Sequence, residues 1–305
     1  IFIYIYAAMA VFKHHFDLMY IRNPHGGIDT TFLPILLMAA KLVGVKVILD
    51  VPAYPYDDEC QGGVAKYSLL IHRCLRPFLK FFLTGIVYNG AQFDQLWGVP
   101  ARRVFNCINA DSIQTIGVNN TDKLKFIVLA SMNEWHGYDR LLLSIASVNK
   151  FCQQNIELHM YGEGPALPQL KQLVADNKLG DIVKFYGQVN QQFLNDSLCG
   201  PAIGIDSLGR HRAGGNYNDS LKSKEYLARG MPIVKSHQDD SVDAHTCVYT
   251  VAADNSVFSI EQIVEWYWDN DFVNQIDAIS SSAKARFDCG DTLVQTVKSL
   301  LACKS

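Results

Sequence analysis

The segment Ser220-Leu-Lys-Ser-Lys-Glu-Tyr-Leu-Ala-Arg-Gly-Met-Pro-Ile-Val234 sets a lysine at the start of a short predicted helix, where a cation is poorly placed. A helix N-terminus already carries roughly half a positive charge, so Lys222 there costs about 0.3–1 kcal/mol unless an anion lies close by. Ser220 reads as the N-cap, Leu221, Tyr226 and Leu227 are expected to face inward, Gly230 fits the left-handed position after the helix, and Pro232 opens a strand. Lys222 and Glu225 then share one helix face. The chemistry implied is anion binding beside a carboxylate. The plainer alternative is a solvated lysine with Glu225 as its surface partner.

Four loops ahead of this helix carry residues of the same kind. In Ser131-Met-Asn-Glu-Trp-His-Gly-Tyr-Asp139 a predicted strand gives way to a helix. Gly137 there permits close backbone approach and His136 can donate to an oxyanion. Tyr161-Gly-Glu-Gly-Pro165 brackets Glu163 between Gly162 and Gly164, but a third glycine is lacking, so the dinucleotide fingerprint is absent and a nicotinamide enzyme is disfavoured. Phe185-Tyr-Gly-Gln-Val189 offers backbone groups to a planar base. The polar stretch from Asp206 to Asp219 brings Arg210 and Arg212 up to the Lys222 helix, and arginines with a lysine around one helix start make a diphosphate clamp. Each loop alone reads equally well as a capped helix start, a tight turn or a surface loop. Four of them in strand, loop, helix order are harder to dismiss.

Such loops need a scaffold that gathers them at one edge. Apolar strand-like runs are predicted at 17–22, 46–51, 85–89, 103–109, 125–130, 156–162, 182–187, 202–208, 232–236 and 248–252, with helices between them such as 31–43, 139–151 and 168–177. This alternation specifies parallel sheets covered on both faces, with ligands beyond the carboxyl ends of the strands. A polar gap over 111–122 divides the chain into a domain at 1–112, a linker at 113–122 and a domain at 123–305. The reading is two Rossmann-like domains with a cleft between them.

Composition narrows the function. With 305 residues, 49% of them hydrophobic, the chain can bury two cores, and a formal charge of −3 argues against a nucleic-acid partner. Eight cysteines stand singly, with no metal spacing among them, and read as buried thiols of a reducing cytoplasm. No apolar run reaches the roughly 18 residues of a spanning helix. Opening on Ile rather than Met, the sequence reads as one whose true beginning is missing, so the N-terminal domain is expected to be incomplete.

The order of motifs resembles the GT-B retaining glycosyltransferases of family 4, especially bacterial enzymes that assemble capsular and O-antigen polysaccharides. The residues that carry the resemblance are Trp135-His-Gly-Tyr-Asp-Arg140, Tyr161-Gly-Glu-Gly-Pro165, Val183-Lys-Phe-Tyr-Gly187 and Leu221-Lys-Ser-Lys-Glu-Tyr-Leu-Ala-Arg-Gly-Met-Pro232. It implies a hexosyl or other glycosyl transfer from a uridine or guanosine diphosphate sugar to a glycan or lipid-linked acceptor, with retention. By the resemblance Glu225 binds the ribose, while Lys222, Arg212 and His136 face the diphosphate. Gly137, Gly162, Glu163, Gly164, Val189, Ser220 and Leu221 complete the donor side. The leaving group is neutralised by protein cations and helix dipoles, so no cofactor and no metal are expected. Three departures stand out: Ser131 replaces a cation, Tyr217 an acid, and Ala110 a glycine.

The first half resembles the acceptor domain, where Asp50, Tyr54, Tyr56 and Asp57 can hold a sugar by stacking and hydrogen bonds. From 60 to 93 there is no acid, while Lys66, Arg73, Arg76 and Lys80 lie among Leu, Phe and Tyr. The plainer of two readings is an ordinary half-buried helix pair broken at Pro77; the other is a lipid-facing surface. Such a basic amphipathic segment suits peripheral contact at the inner face of the membrane by a cytoplasmic protein. Two other functions share the diphosphate clamp: a GT-B-shaped nucleotide-sugar epimerase, and a non-catalytic remnant that binds nucleotide or glycan.

Overall fold

The computed structural model describes residues 2–23, 28–54, 57, 63–90, 92–118 and 123–302. The chain forms two compact units, Ile1–Phe105 with Gly290–Ser305, and Asn106–Cys289. The sequence division at 112 and 122 differs from this one. Ile113 and Ile116 are buried in the core of the second unit, and Gly117 bridges Cys199 there. Residues 119–122 of the expected linker lie outside the described residues.

The first unit comprises α1 (Phe2–Lys13), β1 (Leu18–Arg22), α2 (Leu33–Leu42), β2 (Lys46–Tyr54), α3 (Gly63–Leu79), β3 (Gly85–Gly90), β4 (Gln95–Leu96) and β5 (Val99–Arg103). Its sheet runs β1-β2-β3-β5-β4, parallel except for β4 against β5. Alternate strand residues feed two cores. Val47, Leu49, Ile86 and Tyr88 pack with Leu33, Leu36 and Leu37 of α2, whereas Ile48 and Val87 pack with Leu300. The strand predicted at 103–109 is displaced: Val99 and Ala101 are the alternating inward residues, and Ala101 pairs with Ile86. Pro77 does not break α3, because it sits two residues from the helix end and forfeits one hydrogen bond at most.

The second unit runs β6 (Leu124–Leu129), α4 (Tyr138–Ser147), α5 (Lys150–Gln154), β7 (Ile156–Tyr161), α6 (Leu167–Asp176), β8 (Val183–Gly187), α7 (Gln191–Ser197), β9 (Ala202–Ile205), α8 (Leu221–Ala228), β10 (Ile233–Lys235), β11 (Val248–Thr250), α9 (Ile260–Asp269) and α10 (Ile276–Phe287). Then α11 (Cys289–Ala302) returns the chain to the first unit. The helix predicted over 139–151 is two, because Val148 turns extended and Asn149 caps a new start through its side chain on Cys152 N–H. The sheet order is β11-β10-β9-β6-β7-β8, all parallel. β6 lies between β7 and β9, so the strand order reverses at β6 and the loops after β6 and β9 open beside each other.

Cys107 and Cys289 form a disulfide, Cys74 is exposed, and Cys152 and Cys247 are buried thiols. The expectation of buried thiols throughout is therefore corrected. The bridge spans 182 residues and lies beside both points where the chain passes between units, where Ile108 N–H also donates to Phe287 O (2.9 Å) and Cys289 N–H to Ile108 O (3.0 Å). Closing so long a loop constrains the unfolded chain, so Cys107→Ser is expected to lower the unfolding free energy by about 2–4 kcal/mol. Urea denaturation checks this, and wild-type protein in reductant should match the variant. Among the described residues, no helix is long and apolar enough to cross a membrane.

Candidate functional site

Lys222 occupies the first turn of α8, whose N-cap is Ser220. The anion nearest its ammonium is the protein's own. Its Nζ lies 3.0 Å from Asp206 Oδ1 and donates to Ser207 Oγ at 3.0 Å. Asp206 immediately follows β9, is fully buried, and also accepts from Ser223 Oγ (2.6 Å) and Ser207 N–H (2.6 Å). Burial alone would raise its pKa; Lys222, His237 and the hydroxyls of Ser220 and Ser223 outweigh burial and hold it well below the usual carboxylate range. The lysine at a helix start is thus matched from beneath, and α8 still presents its N-terminal dipole outward.

The surplus positive charge belongs to Arg210. It follows β9 in a short 3-10 turn, Arg210–Ala213, and forms no ion pair with any described carboxylate. Its guanidinium carbon lies 5.2 Å from the centre of the Trp135 ring, and Lys222 Nζ lies 6.0 Å from the same centre. His136, the next residue, is buried, and its Nδ1 accepts from Asn133 N–H at 3.1 Å. The proton of the neutral ring therefore sits on Nε2. Burial first and then Lys222 push its pKa down to about 3; Asp206 pulls it up, and Arg210, the smallest of the four, adds to the lowering.

A titration follows from this. Monitored by NMR, His136 is expected to stay neutral from pH 8 to pH 5. The unfolded chain takes up this proton near the ordinary value of 6.5 and the folded chain only near 3, so the stability present above 6.5 is lost as pH falls through that window. The slope for one proton reaches about 1.4 kcal/mol per pH unit.

Backbone carries the rest of the site. Gly137 has φ +69°, and a Cβ there would come 2.5 Å from Gly209 N and 2.7 Å from Leu208 C. Its lack of a side chain lets the loop after β6 lie against the loop after β9, where Leu208 N–H donates to His136 O at 2.7 Å. Arg140, buried, donates to the carbonyls of Leu208, Ala252 and Ser256 and braces the same loop. The loops after β6 and β7 are stitched by Ala130 N–H to Tyr161 O (3.0 Å) and Met132 N–H to Glu163 O (2.8 Å). Beyond them lies a pocket of ≈ 310 Å³ lined by Ser131, Gly162, Glu163, Gln188, Val189 and Leu194, among others.

The glycosyl transferases group 1 family model matches residues 110–198, which lie in this unit. No curated protein sequence matches. Among solved structures, Anabaena Alr3699/HepE in complex with UDP superposes with a TM-score of 0.68 at 13% identity, over 97% of this chain and 82% of that one. A glycosyltransferase from Rickettsia africae gives 0.66 at 11%, over 99% and 81%. Sucrose-phosphate synthase from Thermosynechococcus elongatus gives 0.65 at 12%, over 97% and 76%. The fold is GT-B.

Within this GT-B chain the expected donor-side residues fall into separate groups. Lys222, Ser220 and His136 gather at the start of α8, tied through Asp206, while Leu221, expected to face inward, is half exposed because the first turn of α8 leaves that side uncovered. Gly162, Glu163 and Val189 share the pocket beyond β6, β7 and β8, and Gly164 packs against Met132. Glu225 faces Gln191 (3.5 Å) and the buried Arg229 (3.0 Å), and every bond it accepts goes to Oε1, leaving Oε2 open. Arg212 is elsewhere. Its fork grips Asp139 at 2.7 and 2.9 Å, and it donates further to Glu134 O and Asn255 Oδ1.

On the other unit, Asp50 is raised by burial while Arg22 and Tyr20 pull it down. Tyr54 stands edge-on to Tyr88, Phe93 and Trp97. Asp57 is committed to α3: hydrogen bonds from Arg76 first, and also from Arg73, hold it down to about 2 against a smaller rise from burial. Tyr56 lies outside the described residues. Asp206 and Trp135 belong to the geometry of this candidate site, and sequence reasoning assigned neither a role. A lone Asp at a strand end gives little signal, whereas Trp135 adjoined a residue already chosen.

Proposed function

We infer that this chain is a retaining glycosyltransferase that moves a sugar from a nucleotide-diphosphate-sugar to a glycan or lipid-linked acceptor in surface polysaccharide assembly. The observation that carries the reading is the convergence of Arg210 and Lys222 over Trp135 at the start of α8, next to neutral His136 and a separate ≈ 310 Å³ pocket. The match to the group 1 model and the GT-B fold support a nucleotide-sugar glycosyltransferase.

In this reading the base enters the pocket between Ser131, Gly162 and Val189, the open oxygen of Glu225 accepts from the ribose hydroxyls, and the diphosphate meets Arg210, Lys222 and the α8 dipole. The anomeric carbon exchanges its bond to phosphate oxygen for one to the acceptor hydroxyl oxygen, and the hydroxyl's proton passes to the departing diphosphate. Negative charge grows on the departing diphosphate, and fixed donors there stabilise the transition state more than the ground state. His136, neutral with its proton on Nε2, serves as a hydrogen-bond donor. Peripheral contact with anionic lipid through α3 accords with its exposed Val64, Tyr67, Leu70 and Phe78 beside Lys66, whereas the charge of Arg73 is met by Asp57. Co-sedimentation with anionic vesicles tests that part separately.

Calorimetric titration with UDP, GDP and their sugar conjugates tests the donor site. One nucleotide is expected to bind, and Lys222→Ala and Glu225→Ala are each expected to weaken it about tenfold, roughly the contribution of one charge-assisted hydrogen bond. Folded protein that binds none of them would overturn the reading.

A further inference from the structure

A second cavity in the GT-B unit, of ≈ 340 Å³, shares no lining residue with the pocket assigned above to the base. Its walls include Asn133, Trp135, Asp139, Gln169, Leu170 and Arg212. The volume falls within the usual range for a small-molecule site.

Charge decides what it can hold. The only arginine in the wall is held in place by both oxygens of Asp139, at 2.7 and 2.9 Å, and its Nε is taken by Asn255 Oδ1 at 2.8 Å. Glu134, also in the wall, adds a further carboxylate. A phosphate would meet no surplus cation here, in contrast to the Arg210 side of the loop. What the cavity offers is the mixture that hydroxyl groups satisfy: carboxylate acceptors on Asp139 and Glu134, amides on Asn133 and Gln169 that both donate and accept, and the apolar surfaces of Trp135 and Leu170. A sugar ring has that same composition, with hydroxyls around its rim and C–H groups on its faces, and an indole is suited to cover such a face.

We propose that this cavity is a second binding site, independent of the nucleotide, for a neutral sugar ring of a glycan. It goes beyond the donor-site reading and shares with it only Trp135, over whose ring Arg210 and Lys222 lie. It also gives Arg212 a place: the residue orders a carbohydrate site instead of neutralising a diphosphate. The cavity and the nucleotide pocket both take wall residues from the one loop after β6, Asn133, Glu134 and Trp135 on one side and Ser131 on the other.

The test titrates the whole chain with maltose, lactose and mannobiose by saturation-transfer NMR, without nucleotide and with saturating UDP or GDP. At least one disaccharide is expected to bind equally well in both states. Gln169→Ala, at an exposed position that the fold does not need, and Asp139→Asn are each expected to weaken that binding about fivefold, as loss of one hydrogen bond does, with nucleotide affinity unchanged. Three results would overturn the proposal: no binding of any disaccharide, displacement of the sugar by nucleotide, or binding indifferent to both substitutions. Failure of the donor-site reading looks different, because nucleotide would then fail to bind while the sugar titration without nucleotide still gives its answer.

Discussion

Asp206→Ala is expected to lower the unfolding free energy at pH 7 by about 3–5 kcal/mol, the usual result of removing one partner from a buried ion pair. The carboxylate is fully buried and holds Lys222 Nζ at 3.0 Å, Ser223 Oγ at 2.6 Å and Ser207 N–H at 2.6 Å. Its loss leaves a lysine with Ser207 Oγ as its remaining partner, and two buried donors with none. Each orphaned donor adds about 1–3 kcal/mol of desolvation, though relaxation of the loop returns part of it. Urea denaturation checks the size of the effect.

The pH dependence separates this role from simple packing. The folded-state pKa of Asp206 is depressed, so the stability it contributes is fully present above the unfolded value of 3.8 and is lost as pH falls below it. Wild type and Asp206→Ala should therefore differ most at neutral pH and converge in acid. A constant difference from pH 7 down to pH 2 would assign the effect to lost volume instead. Function should follow stability for one reason: Lys222 keeps its direction at the start of α8 only while Asp206 holds it.

The sequence was legible where one local signal sufficed. Strands buried on both faces of a parallel sheet are continuous apolar runs, and β6, β7 and β9 begin within a residue of their expected starts. β5 was not, because Pro100 and the short β4–β5 hairpin disguise the inward pair Val99 and Ala101. Arg210 and Arg212 show the same limit within the site. At about three residues per turn, positions two apart in a 3-10 turn point some 120° apart. The turn sends Arg210 over Trp135 and Arg212 to Asp139. Sequence spacing says that both are near the α8 start but not which one is already paired. The Cys107–Cys289 bridge, across 182 residues, had no local signal at all.

Gly162→Ala is expected to be the more disruptive change, with a loss of at least about 4 kcal/mol and no measurable nucleotide binding in whatever protein remains folded. Gly162 has φ +117°, a conformation that a side chain rarely adopts. A Cβ added there would overlap the carbonyl oxygen of Ala130 and lie 2.9 Å from its carbon. Both are backbone atoms, so no rotamer change relieves the clash. The loops after β6 and β7 must part, which breaks the Ala130 to Tyr161 and Met132 to Glu163 hydrogen bonds and opens the wall of the ≈ 310 Å³ pocket. Strained backbone alone costs about 1–3 kcal/mol, and the two severed bonds carry the total beyond it. Gly180→Ala is the matched control: nothing lies within 4 Å of its Cβ position, and a change within about 0.5 kcal/mol is expected. Equal thermal midpoints for the two variants would show that the glycine before Glu163 is not what allows these loops to meet.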